Sequence, residues 1–460
     1  MTVSKYLIST FITLAWLNPV FGQGLSDMET LGKSIFFDAD LSINANQSCA
    51  ACHGPGVGWT GPLSATNEAG SVYEGSIAGR FGARKPPSSA YATQSPIFHF
   101  QRQGSGGLFL GGNFWDGRAT GEKLGNPAAD QAQGPFLNPA EQALPDKACV
   151  VYFVCNSTYG ALMDDVYPDA CDINWPADVG TQCAPPGAMV NLDVPNAALV
   201  DMAYDEIALS IADYEASSEV NAFTSKFDAY LAGLAELTST ERQGMKLFNG
   251  KAKCSKCHTS KSKGHGRNMS MGPQNGMSMG HQNGMPGRRH SNVPAQSQPP
   301  LFTDYSFDNL GVPRNPDNPF YYQDANKDGL GWVDEGLGEF LESRPEYAGM
   351  AEEHEGAQKV PTLRNVDLRP DPGFVKAFSH NGYFKSLKGI VHFYNTRDVK
   401  PTCANPFTRE ADALTQGCWP EPEEPENVND DELGNLKLTD AQEDAIVAFL
   451  KTLSDGYIVP

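Results

Sequence analysis

Two short strings carry most of the chemistry in this sequence: Cys49-Ala-Ala-Cys52-His53 and Cys254-Ser-Lys-Cys257-His258. A Cys-x-x-Cys-His string is an attachment site for a c-type haem. Its two thiols bond to the porphyrin vinyl groups, and the histidine that follows is held where it can ligate the iron. The competing readings are a disulfide and half of a zinc site. A four-cysteine zinc ribbon sets its pairs about 15–20 residues apart, whereas these strings sit at residues 49 and 254. Two such strings predict two covalently bound haem c groups. The ligand on the far side of each iron then decides the chemistry. An iron with both axial positions filled transfers electrons; an open one beside an acid–base group can use peroxide. No histidine lies between His53 and His99, so none near the first haem loop is placed to close that iron.

Six further cysteines remain: Cys149, Cys155, Cys171, Cys183, Cys403 and Cys418. An even number allows three disulfides, and proximity in sequence favours 149–155, 171–183 and 403–418. Disulfides fit an exported protein. Residues 1–22 read as a secretory signal, with Lys5 ahead of a mostly apolar run from Tyr6 to Phe21 that is too short to span a membrane comfortably. No later segment reads as a membrane span. The expectation is an exported, soluble chain in the periplasm. Asn156-Ser-Thr158 fits a glycosylation sequon, a pattern short enough to arise by chance.

The chain has 460 residues, with Lys+Arg 34 against Asp+Glu 55 and a formal net charge of -21. A nucleic-acid partner would require a basic face, and the chain shows no basic run except a short Lys/Arg stretch near residues 251–267. An acidic surface suits solubility and a positively charged partner.

The elements that must hold the two strings can be read from an internal echo. Leu31-Gly-Lys-Ser-Ile-Phe-Phe37 precedes Cys49, and Gly244-Met-Lys-Leu-Phe-Asn249 precedes Cys254. Each run opens on a capping box, Ser26…Glu29 and Thr238…Glu241. Each half therefore offers one helix leading into a haem loop, which predicts two related modules, at 23–220 and 221–460. Residues 201–235 read as a helix linking them, with Ile207, Ala208, Ile211, Ala212 and Tyr214 on an apolar face. A closing helix is expected at 440–453, capped by Thr439, with Ile446, Phe449, Leu450 and Leu453 on one side. With 46 Gly and 33 Pro, the rest reads as long loops.

Two further segments could hold metals. Residues 261–300 form a low-complexity insert carrying Met269, Met271, Met277, Met279, Met285, His265, His281 and His290. Thioethers and imidazoles suit Cu(I); the competing reading is a mobile insert without metal. Asp324, Asn326, Asp328 and Glu335 fit the spacing of a calcium-binding EF-hand loop, although no amphipathic helix flanks them, and a solvated Asp/Asn/Gly turn reads equally well.

The sequence resembles the bacterial di-haem cytochrome c peroxidase and MauG superfamily over nearly all of the mature chain. The resemblance rests on both haem strings, Phe114-Trp-Asp-Gly-Arg-Ala119, Gln131…Gly134-Pro135…Asn138-Pro139…Glu141, Val360-Pro-Thr-Leu-Arg-Asn365 and His380-Asn-Gly-Tyr-Phe-Lys-Ser-Leu-Lys. It implies a mainly α fold of two cytochrome c-like haem domains with few short strands. It also implies that the N-terminal haem meets peroxide, with Gln131, Pro135 and Glu141 on its distal side and Glu141 as the acid–base group. Trp115 would sit between the haems and carry electrons or holes.

Conventional peroxidases of this group close the first haem with a histidine; the matching neighbourhood here is Glu68-Ala-Gly-Ser71. At the second haem they use a methionine fourteen residues after the His-x-Gly histidine, where the MauG branch has tyrosine. Counting from His380 gives Tyr394; His392 is a competing ligand. Both departures point to the MauG-like branch. That branch shares two oxidising equivalents in a bis-Fe(IV)-like state and oxidises tryptophan side chains of a partner protein. Trp175, Trp332 and Trp419 are candidate exit points.

The alternatives are a cytochrome c peroxidase fed by a small cytochrome or copper protein, a non-catalytic electron carrier, and a copper-binding protein with haem as passenger. The resemblance further implies a calcium ion between the haems, held by backbone carbonyls near Val375 and Ala377 and by one asparagine. The segment expected to supply that asparagine reads Arg84-Lys-Pro-Pro-Ser-Ser.

Overall fold

The computed structural model describes residues 24–104, 106–260 and 299–460. Residues 1–22, read above as a secretory signal, and nearly all of the Met/His insert lie outside the described residues. Seven helices position the site: α1 (Asp27–Phe37), α2 (Cys49–Cys52), α3 (Pro127–Leu137), α4 (Val194–Ala216), α5 (Ser239–Phe248), α6 (Leu387–Thr396) and α7 (Asp440–Lys451). Strands are few. His99–Gln103 pairs antiparallel with Gly106–Leu110, and Phe307–Asp308 pairs with Gln358–Lys359. The molecule is a mainly α protein with long connecting loops.

The echo in sequence is an echo in structure. Ser26 Oγ accepts from the Glu29 amide, and the Glu29 carboxylate accepts from the Ser26 amide at 2.6 Å. Thr238 and Glu241 make the same reciprocal pair at the start of α5. Each box satisfies amides that the first helical turn leaves unpaired. Each of these helices then leans on a longer one: α1 packs on α4, and α5 on α7. A glycine stands at both crossings. A Cβ on Gly32 would lie 1.9 Å from the Ser210 carbonyl oxygen, and one on Gly244 would lie 1.8 Å from that of Ala445. Only glycine lets the backbones come this close.

Around these pairs the apolar residues gather into two main cores. Leu31, Ile35 and Phe36 bury against Ile207, Ile211 and Tyr214 in the first. Phe227, Phe248, Phe302 and Phe449 stack edge to face in the second. A smaller cluster joins the halves, with Phe98 and Phe109 packing against Leu337 and Leu341.

The helix expected over 201–235 is two helices. α4 begins at Val194, capped by Asp193, and ends at Ala216. The Ser217 amide closes the last turn on Tyr214, and Ser225 opens a new capped helix over Lys226–Leu231. The closing helix α7 begins behind Thr439, as expected.

Two of the three expected disulfides are wrong. The bridges are Cys149–Cys183, Cys155–Cys171 and Cys403–Cys418. Cys149 and Cys155 lie near opposite ends of the helix Lys147–Cys155. A helical rise of about 1.5 Å per residue sets them roughly 9 Å apart, beyond disulfide reach. The two bridges are therefore nested, tying the helix to the loop that follows. Among the described residues no helix is long and apolar enough to cross a membrane.

Candidate functional site

Both haem strings are short helical turns facing a cavity. Cys49, Cys52, Cys254 and Cys257 are all free thiols. His53 presents Nδ1 to the Trp59 carbonyl at 3.2 Å, and His258 presents Nδ1 to the Phe302 carbonyl at 2.9 Å. A carbonyl that accepts Nδ1–H fixes the tautomer and leaves Nε2 free for a metal. Burial drives the His53 imidazole down to about 4 and lowers His258 as well, which favours the neutral ring at both. Paired thiols beside a neutral, oriented imidazole, each set opening on a cavity, fit covalent haem c at both places.

The first cavity encloses about 560 Å³. Among the described residues His53 is the only histidine that lines it, and no methionine does. Gln131 and Glu141 do line it. α3 carries Gln131, with Asn126 capping its start. The helix ends at Asn138, whose Nδ2 donates to Glu141 Oε1 at 2.7 Å. Burial raises the Glu141 carboxyl above its ordinary range, against the opposing pull of Arg118 and Asn138. The cavity thus holds a buried carboxyl whose protonated form burial favours. Pro135 lies in the last turn of α3 and is not among the lining residues. Its carbonyl accepts from the Gln142 amide at 3.1 Å, which helps fold the loop that returns Glu141 to the cavity.

The second cavity is tighter, about 230 Å³, and mostly apolar. Tyr394 lines it together with Cys254, Cys257 and His258. Burial, reinforced by Cys254, Asp308 and Cys257, raises the Tyr394 phenol. His392, two residues earlier on α6, is held away: its Nδ1 meets Glu443 Oε1 at 2.9 Å, and it does not line the cavity. His380 lines the cavity, but its Nε2 faces Asp334 at 3.8 Å and Glu423 at 4.0 Å.

Trp115 is a shared wall, lining both cavities while almost fully buried. Its Nε1 donates to the Lys85 carbonyl at 2.9 Å. The next residue, Asp116, is bridged by Arg84 and Arg118, and Arg84 also grips Asp334 through two bonds of 2.7 Å. This chain of charges, largely buried at Arg84, Asp116 and Asp334 and capped by the exposed Arg118, locks the tryptophan loop against the opposite half of the molecule. Arg84 and Asp334 escaped sequence reasoning because their meeting depends on a contact across 250 residues, and Lys85 because it holds Trp115 through its backbone carbonyl, which side-chain type does not reveal.

Other expected features do not converge. Among the described residues the carboxylates of Asp324, Asp328 and Glu335 form no three-ligand group within 4.8 Å. Asn326 instead closes its own turn, donating to the Gly329 carbonyl and accepting from the Asp328 amide. Trp419 is 2% exposed, which removes it as a surface exit point. Trp332 is half-buried against Phe320 and lines the first cavity, and Trp175 packs on Tyr152.

Comparison with known proteins agrees with this geometry. A family model described as di-haem cytochrome c peroxidase matches residues 26–236. The methylamine utilization protein MauG of Paracoccus denitrificans is 31% identical over 435 residues, covering 94% of this chain and 90% of that one. The cytochrome c551 peroxidase of Pseudomonas aeruginosa is 29% identical over 239 residues, about half of each chain. Among solved structures, the diheme peroxidase BthA from Burkholderia thailandensis superposes with a TM-score of 0.63 at 26% identity, covering 93% of this chain and 86% of that one. With two haem-attachment sites, a carboxyl-bearing open cavity and a tyrosine-lined partner cavity, the chain belongs to the di-haem cytochrome c peroxidase and MauG family of peroxide-using oxidoreductases.

Proposed function

We infer that this enzyme is exported to the periplasm and oxidises side chains of a partner protein, tryptophan foremost, with hydrogen peroxide as the oxidant. The observation that carries this reading is the pair of cavity linings. Among the described residues the first offers His53 with no second histidine or methionine in its lining, and the second offers Tyr394 where a conventional peroxidase has methionine. The relation to MauG over nearly the whole chain supports the same branch.

The two haems, when bound, would supply the sites where peroxide is split and oxidising equivalents are held. The protein's own residues do the rest. Cys49, Cys52 and His53 would hold the first haem; Cys254, Cys257, His258 and Tyr394 would hold the second. Glu141 takes a proton from one peroxide oxygen and delivers it to the other, steered by Asn138. Such a positioned group is worth roughly 10²–10⁴ in rate. Gln131 orients the peroxide from α3. Trp115 is the path between the cavities, held by the Lys85 carbonyl. Overall, peroxide gains two electrons and two protons to give two waters, and the electrons come from the partner side chain.

Mixing the holoenzyme and peroxide with either a reduced small cytochrome or periplasmic proteins from the same source tests the reading. Slow oxidation of the cytochrome, together with peroxide-dependent oxidised tryptophan in a partner peptide by mass spectrometry, is expected. Rapid cytochrome oxidation with no protein product would overturn the reading in favour of a cytochrome c peroxidase.

A further inference from the structure

At the seam between the two cavities three lysines converge, and none has a carboxylate partner within 4.0 Å among the described residues. Lys85 Nζ donates to the Pro86 carbonyl at 3.0 Å and to Thr60 Oγ1 at 3.2 Å. Lys376 Nζ donates to the carbonyls of Val57, Leu368 and Asn365 at 2.7–3.0 Å. Lys385 Nζ donates to four oxygens at 2.7–2.8 Å, among them the Asn67 carbonyl and Ser71 Oγ. A small void between Lys85 and Lys376 is lined by Thr60, Asn67, Ala377 and Ser71 as well, the last being the hydroxyl that accepts from Lys385. Buried ammonium groups here are solvated by carbonyls and hydroxyls, much as a hard metal cation would be.

This is where the family's calcium ion is expected, and the residues do not suit one. Calcium takes six to eight oxygen ligands at roughly 2.3–2.6 Å. The Val375 carbonyl already accepts from Asn67 Nδ2 at 3.0 Å. The same amide donates to the Gly61 carbonyl, and Asn67 Oδ1 accepts from the Tyr73 hydroxyl. No side-chain carboxylate lines the void, and a divalent ion would have to sit beside ammonium groups. Charge of the right sign is already there.

We propose that the Lys85 ammonium takes the place of the inter-haem calcium ion and supplies the positive charge beside Trp115. Its Nζ lies 5.8 Å from the Trp115 ring centre, within the range of a cation–π contact. Its backbone carbonyl holds the indole N–H. One residue therefore both orients the tryptophan and sets the charge over it. Positive charge there favours the neutral indole over one that has lost an electron, and it favours the reduced form of each haem.

The test uses the holoenzyme carrying both haems and does not depend on peroxide turnover. After purification in calcium-containing buffer and desalting, elemental analysis should find two irons and no stoichiometric calcium. Adding a chelator should leave both resting haem EPR signals unchanged. One calcium per two irons, removed by chelator with a change in either signal, would overturn the proposal. Redox titration of variants gives the second readout. Lys85→Met removes the charge and should shift both haem potentials downward, while Lys85→Arg keeps it and should leave them near the parent values. Unchanged potentials in Lys85→Met would equally overturn the proposal.

Discussion

Replacing Glu141 with Gln isolates the proton-transfer role of the first cavity. The amide is nearly isosteric, and its oxygen can keep the 2.7 Å bond from Asn138 Nδ2. Arg118 keeps its partner Asp116. What disappears is a group able to accept and return a proton. A loss of about 10²–10⁴ in the second-order rate with peroxide follows, equivalent to roughly 2.7–5.5 kcal/mol of barrier. Stopped-flow absorbance of the first haem after mixing with peroxide measures it directly.

The pH profile sharpens the test. Burial raises the Glu141 carboxyl, so the parent's rate should fall as pH drops through a value above the ordinary carboxylate range of about 4.3. Below that value the group is protonated and cannot accept. The variant should lose this acid limb. The sign for stability is opposite to that of an ion-paired acid. A carboxyl raised in the folded state is stabilising only below its unfolded pKa, and that contribution is lost as pH rises through the folded value. Glu141→Gln should therefore be at least as stable as the parent at pH 7. A variant reacting within a few-fold of the parent, with the acid limb intact, would refute the assignment.

Tyr394→Met should change the low-spin EPR signal of the second haem and raise its potential, since a thioether replaces an anionic oxygen; an unaltered signal would mean that Tyr394 is not a ligand. Trp115→Phe should leave the peroxide reaction at the first haem within a few-fold but slow oxidation of the second, as followed by rapid-freeze EPR; parental kinetics at both would exclude Trp115 as the path. Gly244→Ala places a Cβ 1.8 Å from the Ala445 carbonyl oxygen. Forcing α5 and α7 apart should cost about 1–3 kcal/mol, read as a lower denaturant midpoint with both haems retained, whereas an unmoved midpoint would contradict the close crossing.

What was legible in the sequence is what short-range chemistry encodes. A haem string requires its two cysteines and histidine within five residues, and a capping box requires its pair three apart; both appear in the structure where the spacing placed them. The Gln131…Glu141 spacing is likewise local, spanning one helix and the loop that ends it. The nested bridges were readable in principle, because Cys149 and Cys155 share a helix too long for one disulfide. The break after Ala216 was hidden, because the apolar period continues into a segment whose direction is set by Ser217 and Ser225. The lysine cluster and the Arg84–Asp334 clasp could not be found from spacing. Lys85 meets the seam only once its amide has closed on the distant His380 carbonyl, and only the family resemblance, which set the calcium-binding segment at Arg84-Lys-Pro-Pro, pointed there.

The central claim is that one iron stays open to peroxide while the other is closed by Tyr394. EPR of the oxidised holoenzyme, before and after one equivalent of peroxide, tests it most directly. One high-spin and one low-spin signal at rest, both lost together on adding peroxide, is the predicted result. Two low-spin signals that ignore peroxide would contradict the account and leave an electron carrier.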